Sequence, residues 1–249
     1  MDKSQLLGSQ TAKNGFNNEH DIANKFNDWV RDEDAQKWLV IMDYKLEKVE
    51  SVKAVVLSGY KADVNVQITI TLKEAINVEN IQVKLVSNKA GFNQIDKRWV
   101  DKYVSLWNIP EDVTNILKRF TGELKPTISK TRDKKKRRMF IDEFLIGERT
   151  KLIKFLNKNR PLIVNDVLRG RGEFAAEWVI VAQKISEKTR WILKNINEVV
   201  NHYDGNIAIT KQGNIKIGRI TMQRKGGDNG RETAKMLQFK INPAELFEI

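Results

Sequence analysis

Three polar residues, Asp63, Gln82 and Lys84, have the types and spacing of a metal-assisted phosphate site. Gln82 and Lys84 stand two positions apart in an alternating run, so as strand residues they leave the same face. A carboxylate and an amide oxygen suit Mg²⁺, which takes waters and a phosphate as further ligands. A neighbouring lysine can position a water or neutralise charge at phosphorus. The alternative is an ordinary exposed strand face, because half-buried strands alternate in the same way.

Two predicted strands must position these residues. Residues 64–72 alternate between β-branched or other apolar residues and polar ones, and residues 81–85 alternate again. With residues 73–80 as the turn, the two runs predict an antiparallel hairpin. A chain reversal near Lys73 places Asp63 across from Lys84.

The first predicted helix contributes a further carboxylate. Ile22, Ala23, Phe26 and Trp29 recur at steps of three and four residues, which predicts an amphipathic helix over residues 15–29. Glu19 lies on the same face, where a lone carboxylate is costly unless it is paired or bound to metal. A half-exposed Glu that stabilises the helix dipole is the equal alternative.

The rest of the chain predicts helices followed by strands. Residues 100–202 read as mostly helical, including a periodic run from Trp191 to Val199, and a basic loop at 132–138 interrupts them. That loop is either solvated or in contact with phosphate. Strands follow at 207–209, 215–222 and 236–241, with a glycine-rich basic loop at 224–231. The order predicts one mixed α/β domain with a helical insertion.

Composition narrows the class of protein. The chain has 249 residues, a formal charge of +12 and 41% hydrophobic residues, so it can bury a core and bind an acidic partner. It contains no cysteine, which excludes disulfides and thiolate ligands, and its two histidines have no ligand-spaced partner. No stretch has the length of a spanning helix and the first residues lack a signal-peptide core, so we expect a soluble intracellular protein.

Several segments resemble a known family. Residues 58–63 and 81–85 together resemble the divided motif of the PD-(D/E)XK nucleases. Residues 53–58, 80–97, 168–178 and 223–233 resemble the HinP-type Type II restriction endonucleases over nearly the whole chain. The resemblance implies a PD-(D/E)XK core with a central mixed sheet flanked by helices. It divides a single endonuclease domain, 1–249, into a catalytic core of residues 15–100 and 203–249 and a helical insertion at about 101–202.

The activity implied is hydrolysis of double-stranded DNA with Mg²⁺ at a short palindromic G·C-only site, GCGC in that family. A DNA methyltransferase is the implied system partner, and the prokaryotic cytoplasm the implied compartment. The candidate catalytic residues are Asp63, Gln82, Lys84 and Glu19. Since Gln82 replaces the second acid of the superfamily, we expect Glu19 to compensate, which makes Asp63, Gln82 and Glu19 the candidate metal ligands.

Three segments are candidates for DNA binding. In the first, after the catalytic strand, Phe92 either wedges against a base step or anchors its loop to the core. In the second, the glycine-rich loop, arginines and lysines read guanine or contact phosphates. In the third, an Arg-Gly-Arg turn contacts DNA or holds acids such as Glu173 or Glu177. The candidate residues are Lys89, Phe92, Asn93, Gln94, Lys97, Arg169, Arg171, Gln223, Arg224, Lys225, Asn229 and Arg231.

A non-catalytic basic protein that binds DNA or RNA is the alternative function, and it would not require Asp63, Gln82 and Lys84 together. A membrane-surface protein is disfavoured because no long basic amphipathic helix is present. The sequence leaves open whether a homodimer cuts both strands or one chain acts twice.

Overall fold

The computed structural model describes residues 17–57, 66–88, 91–135, 137–185, 189–227 and 231–249. They form two compact units. The first unit consists of the described parts of 1–93, 169–199 and 242–249, and the second of 94–168 and 200–241. No described helix is long and apolar enough to cross a membrane.

Helices and strands alternate irregularly along the chain, as expected for a mixed α/β protein. The helices are α1 (17–27), α2 (Glu33–Ile41), α3 (Val100–Trp107), α4 (Glu111–Thr121), α5 (Ile146–Arg169) and α6 (Ile196–Tyr203). The strands are β1 (Val49–Val56), β2 (Val66–Leu72), β3 (Ile76–Val86), β4 (Asn93–Arg98), β5 (Trp178–Gln183), β6 (Arg190–Asn195), β7 (Ile207–Ile209), β8 (Ile215–Ile217), β9 (Ile220–Arg224) and β10 (Leu237–Ile241).

The first unit is built on a mixed sheet with the strand order β1-β2-β3-β5-β6. Its neighbours pair antiparallel except for β3 and β5, which run parallel. Ile22 and Phe26 of α1 and Trp38 of α2 share one buried cluster with Ile81 and Val83 of β3. The two helices therefore cover the sheet face that carries these apolar residues, and burial of that face supplies the main stabilisation of the unit.

The second unit contains an antiparallel sheet with the order β4-β10-β9-β8-β7. Tyr103 and Trp107 of α3 stack on each other and meet the ring of Phe239 in β10 edge-on, with ring centroids 5.5 and 5.8 Å from that ring. Edge-to-face packing of this kind suits the quadrupoles of aromatic rings. Helix α3 is thereby fixed against the strand that contacts both β4 and β9.

The predicted hairpin is confirmed, but its turn is shorter than predicted. β2 and β3 pair antiparallel, and the register places Val66 opposite Ile81, as a reversal near Lys73 requires. β3 begins at Ile76, so the predicted turn at 73–80 is wrong beyond Ala75. The apolar residues Ile76 and Val78 stand at even positions, whereas Ile81, Val83 and Leu85 stand at odd ones, so no single alternation runs through the strand.

The segment 101–202 is less helical than predicted, because it contains β5 and β6. Trp191, expected on a helix that continued to Val199, lies in β6, and α6 starts only at Ile196. β5 is buried on both faces and pairs with a parallel neighbour. The sequence of such a strand is a continuous apolar run, which hydrophobic periodicity does not distinguish from a buried helix. The predicted division into core and insertion stays a prediction.

Candidate functional site

The central strand β3 carries two of the three residues predicted to form the phosphate site, Gln82 and Lys84. Gln82 and Lys84 leave the face of β3 opposite to Ile81 and Val83, because successive side chains alternate along a strand. They therefore lie on the face that α1 and α2 do not cover. Asp63 lies outside the described residues, so its predicted position opposite Lys84 stays a prediction.

Gln82 is a buried polar group with an unsatisfied donor. Its side chain is 1% exposed, and Nε2 has no hydrogen-bond partner among the described residues. On the neighbouring parallel strand, Val179 is paired with Gln82 and Val181 with Lys84, so β5 supplies only apolar side chains there. A buried amide without a partner costs free energy, which indicates a position selected for a purpose other than stability.

Asn80, two residues before Gln82, fixes β3 to the segment that precedes β5. Its backbone N–H donates to Oε2 of Glu177 at 2.9 Å, and its Nδ2 donates to the carbonyl of Glu173 at 2.8 Å. Gln67 of β2 donates to Oδ1 of Asn80 at 3.1 Å. These bonds join β2, β3 and the segment before β5, and the side chain of Asn80 leaves the same strand face as that of Gln82.

Glu177 is held in this network at an energetic cost. Partial burial raises the pKa of its carboxyl group, and the neighbouring Glu79 raises it further, whereas the N–H of Asn80 and the charge of Arg169 lower it. The charge of Arg169 thus favours the ionised form of the half-buried Glu177, and the role of the Arg-Gly-Arg turn in holding acids stays a prediction. Arg171 is exposed. DNA contact by either arginine stays a prediction.

The candidate metal ligand Glu19 lies on α1 and is half-buried. Its helix packs on the sheet face of Ile81 and Val83, not on the face of Gln82 and Lys84. The adjacent Asn18 is 1% exposed, and neither of its amide atoms has a hydrogen-bond partner in the described part of the chain. Sequence reasoning did not single out Asn18, since an Asn early in a helix is unremarkable. The ligand role of Glu19 stays a prediction.

The buried amide oxygen of Gln82 is a donor of the kind that Mg²⁺ accepts. No group of three or more His, Asp or Glu side chains suited to a metal occurs among the described residues. Mg²⁺ is commonly bound through one or two carboxylates, with water and phosphate completing its octahedron. The buried amide of Gln82 and the carboxylate of Asp63, which lies outside the described residues, would provide such a partial set.

The segment after β3 was predicted to contact DNA. The side chain of Phe92 is 54% exposed, so it does not anchor the loop in the core. Asn93 is half-buried, and Gln94 and Lys97 on β4 are exposed. Lys89 lies outside the described residues. An exposed phenylalanine has the placement that a wedge requires, and its contact with DNA stays a prediction.

Three glutamines lie side by side on the adjacent strands β4, β10 and β9. Gln238 donates from Nε2 to Oε1 of Gln94 at 2.6 Å, and Gln223 donates from Nε2 to Oε1 of Gln238 at 3.5 Å. Gln94 and Gln223 were predicted from separate segments, and the structure brings them together. Gln238 was not predicted, because an alternating strand gives no signal for a side chain that acts on its neighbours.

The glycine-rich loop follows β9 directly. Lys225 N–H donates to the carbonyl of Met236 at 2.8 Å, and Gly226 N–H donates to that of Ala234 at 3.0 Å, so the base of the loop is a closed hairpin. Arg224 is half-buried and Arg231 is exposed. Asn229 lies outside the described residues. These residues, like Gln94 and Gln223, belong to the second unit, whereas Gln82 and Lys84 belong to the first.

Comparison with known proteins gives one family and one fold. The model of the R.HinP1I restriction endonuclease family matches residues 42–247. Among solved structures, the chain is similar to restriction endonuclease MspI in complex with its cognate DNA, with a TM-score of 0.63 and 15% identity over 96% of this chain and 93% of that chain. At this identity the likeness shows a shared fold, and the predicted PD-(D/E)XK nuclease-like fold is confirmed. No curated protein matches the sequence.

Proposed function

Because the chain belongs to the R.HinP1I restriction endonuclease family, we propose that it is a Type II enzyme that cuts double-stranded DNA at the palindrome GCGC with Mg²⁺. The family match carries this proposal, because it spans β2, β3 and the loops that hold the candidate residues. The resemblance of the sequence to enzymes specific for GCGC supports the choice of site. The shared fold with a nuclease whose structure contains DNA supports the substrate class.

The chemistry proposed is the attack of water on phosphorus beside Gln82 and Lys84 in the C-terminal half of β3. A bound Mg²⁺ would polarise the phosphate and favour deprotonation of a coordinated water. In this scheme the oxygen of Gln82 and the carboxylate of Asp63 hold the ion in place. The ammonium group of Lys84, two residues from Gln82 on the same strand face, stabilises the negative charge that grows on the phosphate oxygens.

The neutral amide at Gln82 affects when the metal binds. One carboxylate fewer than in an Asp–Glu pair means weaker attraction for a cation, so the phosphate of bound DNA supplies much of the negative charge. We propose that metal affinity is low in the free protein and rises when DNA is bound. Glu19 is the candidate for a further anionic group.

The proposed DNA contacts come from the segment with Phe92 and from the glycine-rich loop. Phe92 would insert at a base step, with Gln94 and Gln223 near base edges. The net charge of +12 would favour association with a polyanion and make it sensitive to salt. A cognate methyltransferase would protect the DNA of the host, and both proteins would act in the prokaryotic cytoplasm.

Cleavage of a sequenced plasmid tests this function. We expect the purified protein with Mg²⁺ to produce fragments whose ends all map to GCGC, and we expect no product when the metal is chelated. A plasmid methylated within GCGC is the matched control, and it should resist cleavage. Fragment ends at random positions, or at a different recurring sequence, would contradict the assigned specificity, and intact plasmid under all conditions would contradict the activity.

A further inference from the structure

A pocket of about 310 Å³ in the second unit has cationic side chains at most of its lining positions. It lies between the basic loop at 132–138 and the glycine-rich loop. The cations that line it are Arg137, Arg138, Arg224, Arg231 and Lys235. Glu232 is the only acid among the lining residues of this pocket, and it forms an ion pair with Lys235 at 2.7 Å. Positive charge therefore predominates among the residues that line the pocket.

Arg138 is held in the pocket by aromatic rings rather than by an acid. Its guanidinium carbon lies 4.1 Å from the ring centroid of Phe140 and 5.9 Å from that of Phe120. It forms no ion pair with the described residues. Burial lowers the pKa of Arg138 to about 10, and the charge of Arg224 adds to this effect. The side chain is still a cation at neutral pH, so its unpaired charge favours an anion.

Arg224 is fixed from the other side of the pocket. Its Nε donates to the carbonyl of Ala234 at 2.9 Å, which leaves the terminal nitrogens of the guanidinium for another partner. It too forms no ion pair among the described residues. Burial lowers the pKa of Arg224, and the nearby charge of Arg137 lowers it further. Arg137 itself is paired with Asp133 through two contacts of 3.2 Å.

The backbone beside these arginines allows a ligand to approach closely. Gly226 and Gly227 line the pocket with φ of 65° and 59°, a backbone conformation that residues other than glycine rarely adopt. Neither glycine has a neighbouring atom near the position of an added Cβ. Forked guanidinium donors around a space without side chains match the oxygens of a phosphate group.

We propose that Arg138 and Arg224 together bind one backbone phosphate of the DNA, so that Arg224 contacts the backbone and does not read guanine. This rests on the proposed function for the identity of the ligand, and it gives the basic loop at 132–138 a role in binding. An inorganic phosphate or pyrophosphate carries the same oxygens, and the test separates these sources.

The test is equilibrium binding of the full chain to cognate and random duplexes without divalent metal, at roughly 50 to 200 mM salt. Arg138→Gln and Arg224→Gln should each reduce the slope of log K against log salt by about 0.9, equally on both duplexes. A reduction of the slope by about 0.9 corresponds to roughly eightfold weaker binding at about 0.1 M salt. The double variant should lose no more slope than either single variant, because both arginines act on one phosphate.

Arg190→Gln is the matched control. Arg190 also lies over a phenylalanine ring, 4.9 Å from the centroid of Phe247, and it lies outside the pocket. Its replacement should leave both slopes unchanged. Circular dichroism melting checks that each variant is folded. If loss of the ring contacts unfolds Arg138→Gln, the comparison uses Arg224→Gln together with Arg138→Lys instead.

Three results would overturn the site. A loss confined to the cognate duplex would assign Arg224 to guanine, and unchanged slopes on both duplexes would remove the phosphate contact. If pyrophosphate raised the melting temperature of the wild type while the variants bound DNA with wild-type affinity, the pocket would be assigned to a free anion. Cleavage by the wild type is measured in parallel: uniform slope loss without cleavage contradicts the nuclease activity alone, and cleavage with unchanged slopes contradicts this site alone.

Discussion

The side-chain amide of Gln238 donates a hydrogen bond of 2.6 Å to Oε1 of Gln94, joining strands that are 144 residues apart in sequence. Gln238 is 5% exposed, whereas Gln94 is exposed. A buried amide that bonds to an exposed one fixes the rotamer of the exposed side chain. Gln238 is therefore placed to orient Gln94, and through its own Oε1 also Gln223, towards a ligand on this surface.

Replacement of Gln238 by leucine should weaken recognition of the cognate duplex more than binding to random DNA. The change leaves the amides of Gln94 and Gln223 without their shared partner, at a cost of about 1 kcal/mol or more. Fluorescence anisotropy on both duplexes measures the difference. Gln36→Leu on α2, which removes a half-buried glutamine that donates to the carbonyl of Val30, is the control. Equal losses on both duplexes would mean that Gln238 only stabilises the sheet.

The order of activity among variants at Gln82 tests its role as an oxygen ligand. Gln82→Glu retains the oxygen and adds charge, so it should keep cleavage and tighten Mg²⁺ binding, while Gln82→Ala should lose activity. A buried carboxylate is unfavourable without a cation, so the melting temperature of Gln82→Glu should also rise with added Mg²⁺. If Gln82→Glu is folded and as inactive as Gln82→Ala throughout a Mg²⁺ titration, the Nε2 donor is the essential group.

Glu19→Gln tests whether α1 contributes to the metal site. We expect partial loss of cleavage that higher Mg²⁺ or Mn²⁺ relieves, because the variant lacks one negative charge near the ion but retains an oxygen. The dependence of the cleavage rate on metal concentration is the measurement. An unchanged rate at every concentration would return Glu19 to a role in stabilising the helix dipole.

The network at Asn80 predicts a pH dependence of stability. The pKa of Glu177 is raised above its ordinary value of 4.5, so the folded state binds more protons than the unfolded state just above that pH. This contribution to the free energy of unfolding is complete below pH 4.5 and is lost as pH rises through the folded pKa. Glu177→Gln keeps an acceptor for Asn80 and should flatten this fall in urea unfolding.

The exposed Glu173 supplies the matched control for that experiment. Only its backbone carbonyl takes part in the network, so Glu173→Gln should retain the pH profile of the wild type. The same profile in Glu177→Gln and the wild type would show that Glu177 does not hold a proton in the folded protein.

Strand β2 was predictable because one of its faces is buried, and burial of one face imposes an alternating pattern that also fixes the register with β3. Strand β3 alternates in sequence from Ile81 to Leu85 as well, although its polar residue Gln82 is also buried. The alternation therefore placed Gln82 and Lys84 on one face. β5 was not predictable, since burial on both faces gives the run Val179 to Ala182 without alternation.

Contacts between distant segments were beyond the sequence for a different reason. The bonds of Gln238 and of Asn80 depend on which strands become neighbours, and local patterns carry no information about that choice. The pocket of arginines likewise unites two basic loops that were recognised separately. The residue types indicated the chemistry of each segment, and the tertiary structure decided which segments share a site.

Single-turnover cleavage by Lys84→Ala and Asp63→Ala, with binding measured on the same duplex, tests the catalytic assignment most directly. Both residues are assigned to the reacting phosphate and not to bases, so each variant should cut at least about 10²-fold more slowly and still bind the cognate duplex with nearly wild-type affinity. Lys53→Ala, which removes an exposed lysine from β1 of the same sheet, should cut normally. A Lys84→Ala or Asp63→Ala variant that cuts at nearly the wild-type rate would contradict the account.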